Sequence, residues 1–160
     1  MIVRFVADSM LGGLAKYLRM LGFHTEYFAK IEDKELIKII EEDKKAILLT
    51  KDRHLKDEYH TYGNRIFLVT SEDKIEQTVE VLKTFKLKNQ ISPFIRCLEC
   101  NTKLIRIPKK EAEKLLSQEI CKNFSEFYKC PVCNKIFWFS THTQRMEIII
   151  QRILNKLEEK

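Results

Sequence analysis

The sequence predicts an α/β fold in two parts. Residues 1–90 read as a parallel sheet flanked by helices, and residues 91–160 as a small cysteine-bearing module with a last amphipathic helix. Three observations predict it. Short apolar runs of strand length alternate with stretches whose apolar residues recur at helical spacing, the rhythm of a parallel sheet covered by helices. Two Cys-x-x-Cys pairs, RCLECN at 96–101 and KCPVCN at 129–134, fall together in the second half. Basic excess gathers there too: residues 1–90 hold 16 Lys/Arg against 15 Asp/Glu, whereas residues 91–160 hold 13 against 8.

Each element has its own warrant. IVRFVA (2–7) is a strand of buried type, and Leu11, Leu14, Ala15, Leu18 and Leu21 then fall at helical spacing, with Gly22 as the stop. HTEYF (24–28) reads as a second strand. Asp33 opens a helix whose apolar face is Leu36, Ile37 and Ile40. AILLT (46–50) and RIFLV (65–69) are the third and fourth strands, and Ser71 precedes a helix with Ile75, Val79, Leu82 and Phe85 on one face. KLKNQISPF (86–94) reads as a linker. In the final helix Met146, Ile149, Ile150, Ile153, Leu154 and Leu157 form a stripe that has to be buried, which predicts docking against the first domain.

Composition excludes several classes. Hydrophobic residues make up 44% and charged residues 32%, with 4 Gly and 3 Pro, so the chain is neither disordered nor fibrous. Arg4 and Asp8 break the apolar N-terminal run, so it fails as a signal peptide, and no apolar run approaches membrane-spanning length. A soluble, cytoplasmic protein is expected.

In a reducing compartment paired Cys-x-x-Cys motifs favour metal or redox chemistry. Cys97, Cys100, Cys130 and Cys133 supply four soft thiolates, the number tetrahedral Zn²⁺ takes, so the module reads as a structural zinc ribbon. Cys121 has no partner at metal spacing and reads as a small buried side chain. The basic half also gathers Phe124, Phe127, Tyr128, Phe137, Trp138 and Phe139. Basic groups neutralise phosphates and aromatic faces stack on unpaired bases, which suits RNA. A small ribbon also needs aromatics as its core, and composition leaves both readings open.

Acids complete the pattern. Asp8, Asp33, Asp52 and Asp73 follow strands one to four in turn. The carboxyl ends of parallel strands lie along one edge, where ligands bind, and a hard divalent cation relieves the repulsion between crowded carboxylates. Mg²⁺ or Mn²⁺ held there polarises a phosphate and activates water. Each acid has a local alternative as a helix cap or turn former, strongest for Asp73.

FVADSMLGGLAKYLRMLGF, then Asp33, ILLTKDR, and RCLECN…YKCPVCNKIFW…H, in that order over nearly the whole chain, resemble the Mut-seven C-terminal RNase domain family. The resemblance implies a PIN-like nuclease domain with a zinc ribbon, and metal-dependent cleavage of RNA. It places Asp8, Asp33 and Asp52 in the acidic site, with Thr50 orienting the third acid or the metal's water. Cys97, Cys100, Cys130 and Cys133 become the zinc ligands. It also puts the first helix beside the site, so Lys16 and Arg19 become candidates for substrate phosphates; Arg53, next to Asp52, is a third. Two positions depart from the family. His24 stands where the family shows Asp after the Leu-Gly of the first helix, and Ser140-Thr141-His142 replaces Gly-Ser-His. A non-catalytic RNA-binding adaptor that keeps the PIN-like fold is the alternative function.

Overall fold

Four short apolar runs become β1 (Arg4–Ala7), β2 (His24–Tyr27), β3 (Ala46–Thr50) and β4 (Ile66–Leu68), a parallel sheet in the order β2-β1-β3-β4. The structure is a computed structural model and describes residues 2–160. Helices α1 (Gly12–Met20), α2 (Asp33–Glu42), α3 (Arg53–Glu58) and α4 (Lys74–Thr84) fill the connections. The expected strands and the three long helices are all present. α3 and the 3₁₀ segment after it (His60–Arg65) are additions, in a stretch whose buried apolar residue is Leu55 alone.

Alternation along the strands sorts the core into two layers. Phe5 and Ala7 of β1 and Leu49 of β3 pack with Leu14 and Leu18 of α1 and Val79 and Leu82 of α4. Val6, Ala46, Leu48 and Ile66 pack on the other face with Leu36, Ile37 and Ile40 of α2 and Leu55 of α3. The β1–β2 and β2–β3 connections run in opposite directions across the sheet, so right-handed crossovers set α1 and α2 on opposite faces.

The second half builds β5 (Ile105–Ile107), β6 (Phe127–Lys129) and β7 (Ile136–Phe137), an antiparallel sheet in sequence order. Two short helices, α5 (Lys109–Glu113) and α6 (Gln118–Asn123), lie between β5 and β6 and close over Ile107, Ala112, Phe127 and the buried Cys121. Helix α7 (Thr141–Glu158) returns to the first sheet, placing Ile150 and Ile153 in the core beside α4 and pairing Lys156 with Glu76 at 2.6 Å. The expected docking of the last helix is therefore observed.

The segment expected as a linker is fastened down. Ser92 N donates to Leu21 O at 2.9 Å and Phe94 N to Met20 O at 3.0 Å. Gly22 permits this approach: its φ is +97°, and a Cβ there would stand 2.3 Å from the Ser92 carbonyl oxygen. No helix among the described residues is long and apolar enough to cross a membrane.

Candidate active site and metal centre

Strand β1 connects outward to β2 over one face and β3 connects to β4 over the other, so their carboxyl ends diverge at a topological switch point. Asp8 and Thr50 occupy that point. Ala7 pairs with Leu49, so the next residue on each strand lies level with the other. Thr50 Oγ1 accordingly donates to Asp8 Oδ2 at 2.8 Å and accepts from Asp52 N at 3.0 Å. The other Asp8 oxygen accepts from Ser9 N at 2.6 Å, which fixes a carboxylate that is only 9% exposed.

Asp52 caps α3, its Oδ1 accepting from Leu55 N at 3.2 Å. Asp33 comes from β2's exit. Glu32 holds the N-cap position of α2, and Asp33's carboxylate accepts no hydrogen bond among the described residues. Burial, together with the negative charges of Asp52, Asp8 and Glu58, raises the Asp33 pKa above its ordinary value, and His54 opposes the shift. None of Asp8, Asp33 and Asp52 has an ion-pair partner among the described residues. Lys51, next to Asp52 in sequence, is drawn away to Glu72 at 2.6 Å. Asp73 stands apart from this group and caps α4 through Ile75 N and Glu76 N.

Sequence reading missed Glu58 and His54. They sit at i, i+4 on α3, 3.7 Å apart, directly after the capping Asp52. The signal was the charged D-R-H-x-x-x-E run following a buried strand, but it becomes legible only once that run is known to be helical.

A raised carboxyl pKa means that the folded chain holds its proton longer than the unfolded chain. Asp33 therefore costs stability as pH rises from the ordinary Asp range through its own higher value. At neutral pH Asp33→Asn should raise Tm, and Mn²⁺ should raise the wild-type Tm by an amount that shrinks as pH falls into the carboxylate range. Thermal melts at pH 4 and pH 7 check both.

At the other end of the sheet lie the cysteines. The sulfurs of Cys97, Cys100, Cys130 and Cys133 all lie within 4.8 Å of one another, the one such group of metal-ligating side chains among the described residues. The Cys97 and Cys133 sulfurs are 3.9 Å apart, against about 3.8 Å for tetrahedral sulfurs bonded at about 2.3 Å to zinc. Both knuckles are built alike. Asn101 N donates to Cys97 O and Asn134 N to Cys130 O, each at 2.9 Å, and both asparagines take φ of +62°. Burial and the neighbouring thiols push Cys100 up to about 12. Burial also opposes ionisation of Cys130, but the Cys133 and Val132 amides together with the Cys133 and Cys97 thiols outweigh it and bring that thiol down to about 7. Four soft sulfurs at this spacing fit zinc.

Arg19 serves this centre and not the acids. Expected to face substrate phosphate, it is instead buried: Nε donates to Thr25 O at 2.8 Å, and Nη1 to Leu98 O at 2.8 Å and Glu99 O at 3.2 Å. Asn101 Oδ1 accepts from Thr25 N at 2.8 Å, and Arg96 bridges Gly22 O and Asn101 O. The first knuckle is thereby joined to the α1–β2 turn. Arg19→Ala leaves three carbonyls without this donor and should cost about 3 kcal/mol, with Arg19→Lys failing to restore the forked contact. Urea midpoints of the three chains check this.

Lys16 and Arg53 remain exposed, the first on α1 and the second opening α3 beside Asp52. His24 pairs with Arg4 at the amino ends of the strands, about 13 Å along the sheet from Asp8's level. His24 is therefore remote from the acidic edge.

The Mut7-C RNAse domain family model matches residues 3–150, nearly the whole chain. Searches of curated proteins and of solved structures returned no match.

Proposed function

The chain belongs to the Mut7-C RNAse domain family, and from that premise we propose that it is a PIN-like, Mg²⁺- or Mn²⁺-dependent ribonuclease whose zinc ribbon helps to hold RNA. One observation carries the reading: Asp8, Asp33 and Asp52, from three strand exits, raise the charge density of one edge and none of them is ion-paired among the described residues. Carboxylate oxygens suit hard divalent ions. Mg²⁺ keeps several waters and binds one or two carboxylates directly, so a looser group of acids than the cysteine cluster still fits. Such an ion, when bound, supplies charge that polarises a phosphate and acidifies water.

The protein's own groups do the positioning. Thr50 spaces Asp8 from the Asp52 amide with one hydroxyl, donating to the first and accepting from the second. Asp8 keeps lone pairs free beyond the Ser9 and Thr50 hydrogen bonds, and Asp33 keeps both oxygens free. Arg53 stands exposed next to Asp52, where it is suited to a phosphate oxygen, and Lys16 lies along the adjoining helix. Thiols without disulfides fit a reducing compartment such as the cytoplasm. The full chain incubated with unstructured RNA should cut it in Mn²⁺ and not in EDTA. Binding without cutting in any divalent ion would replace this reading by the RNA-binding adaptor.

A further inference from the structure

The ribbon's aromatics divide into two sets. Period-2 alternation places Ile107, Phe127 and Ile136 on one ribbon face, where they pack with Phe124 and Trp138 in the ribbon core. Tyr128 and Phe137 are cross-strand partners on the opposite face. With Phe139, which is 47% exposed, they belong to none of the hydrophobic cores.

Those three rings line a groove of about 770 Å³, whose wall Ile136 and Trp138 also reach from the core side, closed by α1 on one side and the first turns of α7 on another. Its charge suits an anion. The two carboxylates on its wall, Glu99 and Glu126, are already paired with Lys135 and Arg106, at 2.7 Å and 3.3 Å. Lys16, also on the wall, has no ion-pair partner among the described residues. The amino end of α7 opens into the same space, and the half of the chain that forms most of the wall carries 13 Lys/Arg against 8 Asp/Glu. Lys16 also connects the groove with the acids: it lies about 6 Å along the helix axis from Gly12, the end of α1 that follows Asp8.

We propose that this groove holds an unpaired segment of RNA, its bases stacked on Tyr128, Phe137 and Phe139 and its backbone passing Lys16 toward the acidic edge. The proposal rests on the ribonuclease reading for the identity of the ligand. It adds a place for substrate that does not involve the acids. Duplex RNA has its bases stacked internally and offers no free faces, so the groove selects single strands.

The test uses the full chain carrying Asp8→Asn, so that binding is measured without cutting, and a labelled unstructured RNA oligonucleotide followed by fluorescence anisotropy. Phe137→Leu keeps an apolar side chain but removes the stacking face, and should weaken binding about tenfold. Phe137→Trp should restore it, and both chains should keep the zinc content of their parent. Lys16→Gln should weaken binding and flatten its salt dependence by roughly 0.7 in log–log slope, one phosphate's worth. Affinity within twofold of the parent for Phe137→Leu overturns the groove. So does a changed oligomeric state with unchanged RNA affinity, which would make a second copy the occupant. Cleavage in the otherwise wild-type chain separates the two readings. If that chain cuts RNA while Phe137→Leu binds normally, only the groove fails. If it never cuts while Phe137→Leu binds tenfold more weakly, the groove stands and the nuclease reading falls.

Discussion

Cys130→Ser should release zinc and unfold the ribbon. Structural zinc contributes about 10–16 kcal/mol of apparent binding free energy coupled to folding, more than a three-stranded sheet of this size holds by its own packing. Trp138, the single tryptophan of the chain, packs against the ribbon core, so its emission should shift to the red as the module opens. Protease should then cut between residues 96 and 140. The consequences do not stop at the module. Arg19, Asn101 and Arg96 join the first knuckle to the α1–β2 turn, so the sheet half should also melt at a lower temperature. The hydrogen bonds across the joint are what carry the loss of zinc beyond the ribbon. Metal analysis should find one zinc per wild-type chain, held less tightly as pH falls because protons compete for the thiolates. A folded Cys130→Ser ribbon with unshifted tryptophan emission would remove zinc from the account.

What the sequence disclosed and what it hid follow a physical division. β1 and β3 were legible because strands covered on both faces are largely apolar, as Phe5–Ala7 and Ala46–Leu49 are, and α7 because an 18-residue helix with one apolar stripe has to bury it. α3 was hidden because it is short and buries Leu55 alone, leaving no periodicity to read. Its invisibility also hid Glu58 and His54. Asp8, Asp33 and Asp52 were legible through topology, since parallel strands end on one edge whatever their distance in sequence. Arg19 was misplaced because spacing shows which helix face a residue occupies but not what arrives later in the chain to cover it. Leu98 and Glu99, its partners, lie roughly eighty positions away. The aromatics could be sorted into core and groove only by strand register, which depends on how β6 and β7 pair.

The second large effect is on catalysis. Asp8→Asn nearly preserves shape but offers one acceptor oxygen where Asp8 uses two, for Ser9 N and Thr50 Oγ1, and it removes the most deeply set charge of the acidic edge. Divalent-dependent cleavage should fall by about 10²–10³-fold, the scale on which a fixed electrostatic contribution to a transition state is lost. Stability should change by no more than about 1 kcal/mol, because relief of like-charge crowding offsets the one hydrogen bond that Asn cannot accept. Thr50→Val should fall between the two, since Asp8 keeps its charge and loses only a positioning hydroxyl.

The most direct test is the single-turnover rate of RNA cleavage in Mn²⁺ by wild type and by Asp8→Asn, with folding and zinc content of both verified on the same samples. Cleavage by wild type that EDTA abolishes, and that drops at least about a hundredfold in the variant, is the expected result. Equal rates in the two chains, or no cleavage by either, would contradict a catalytic role for the acids at the β1–β3 switch point.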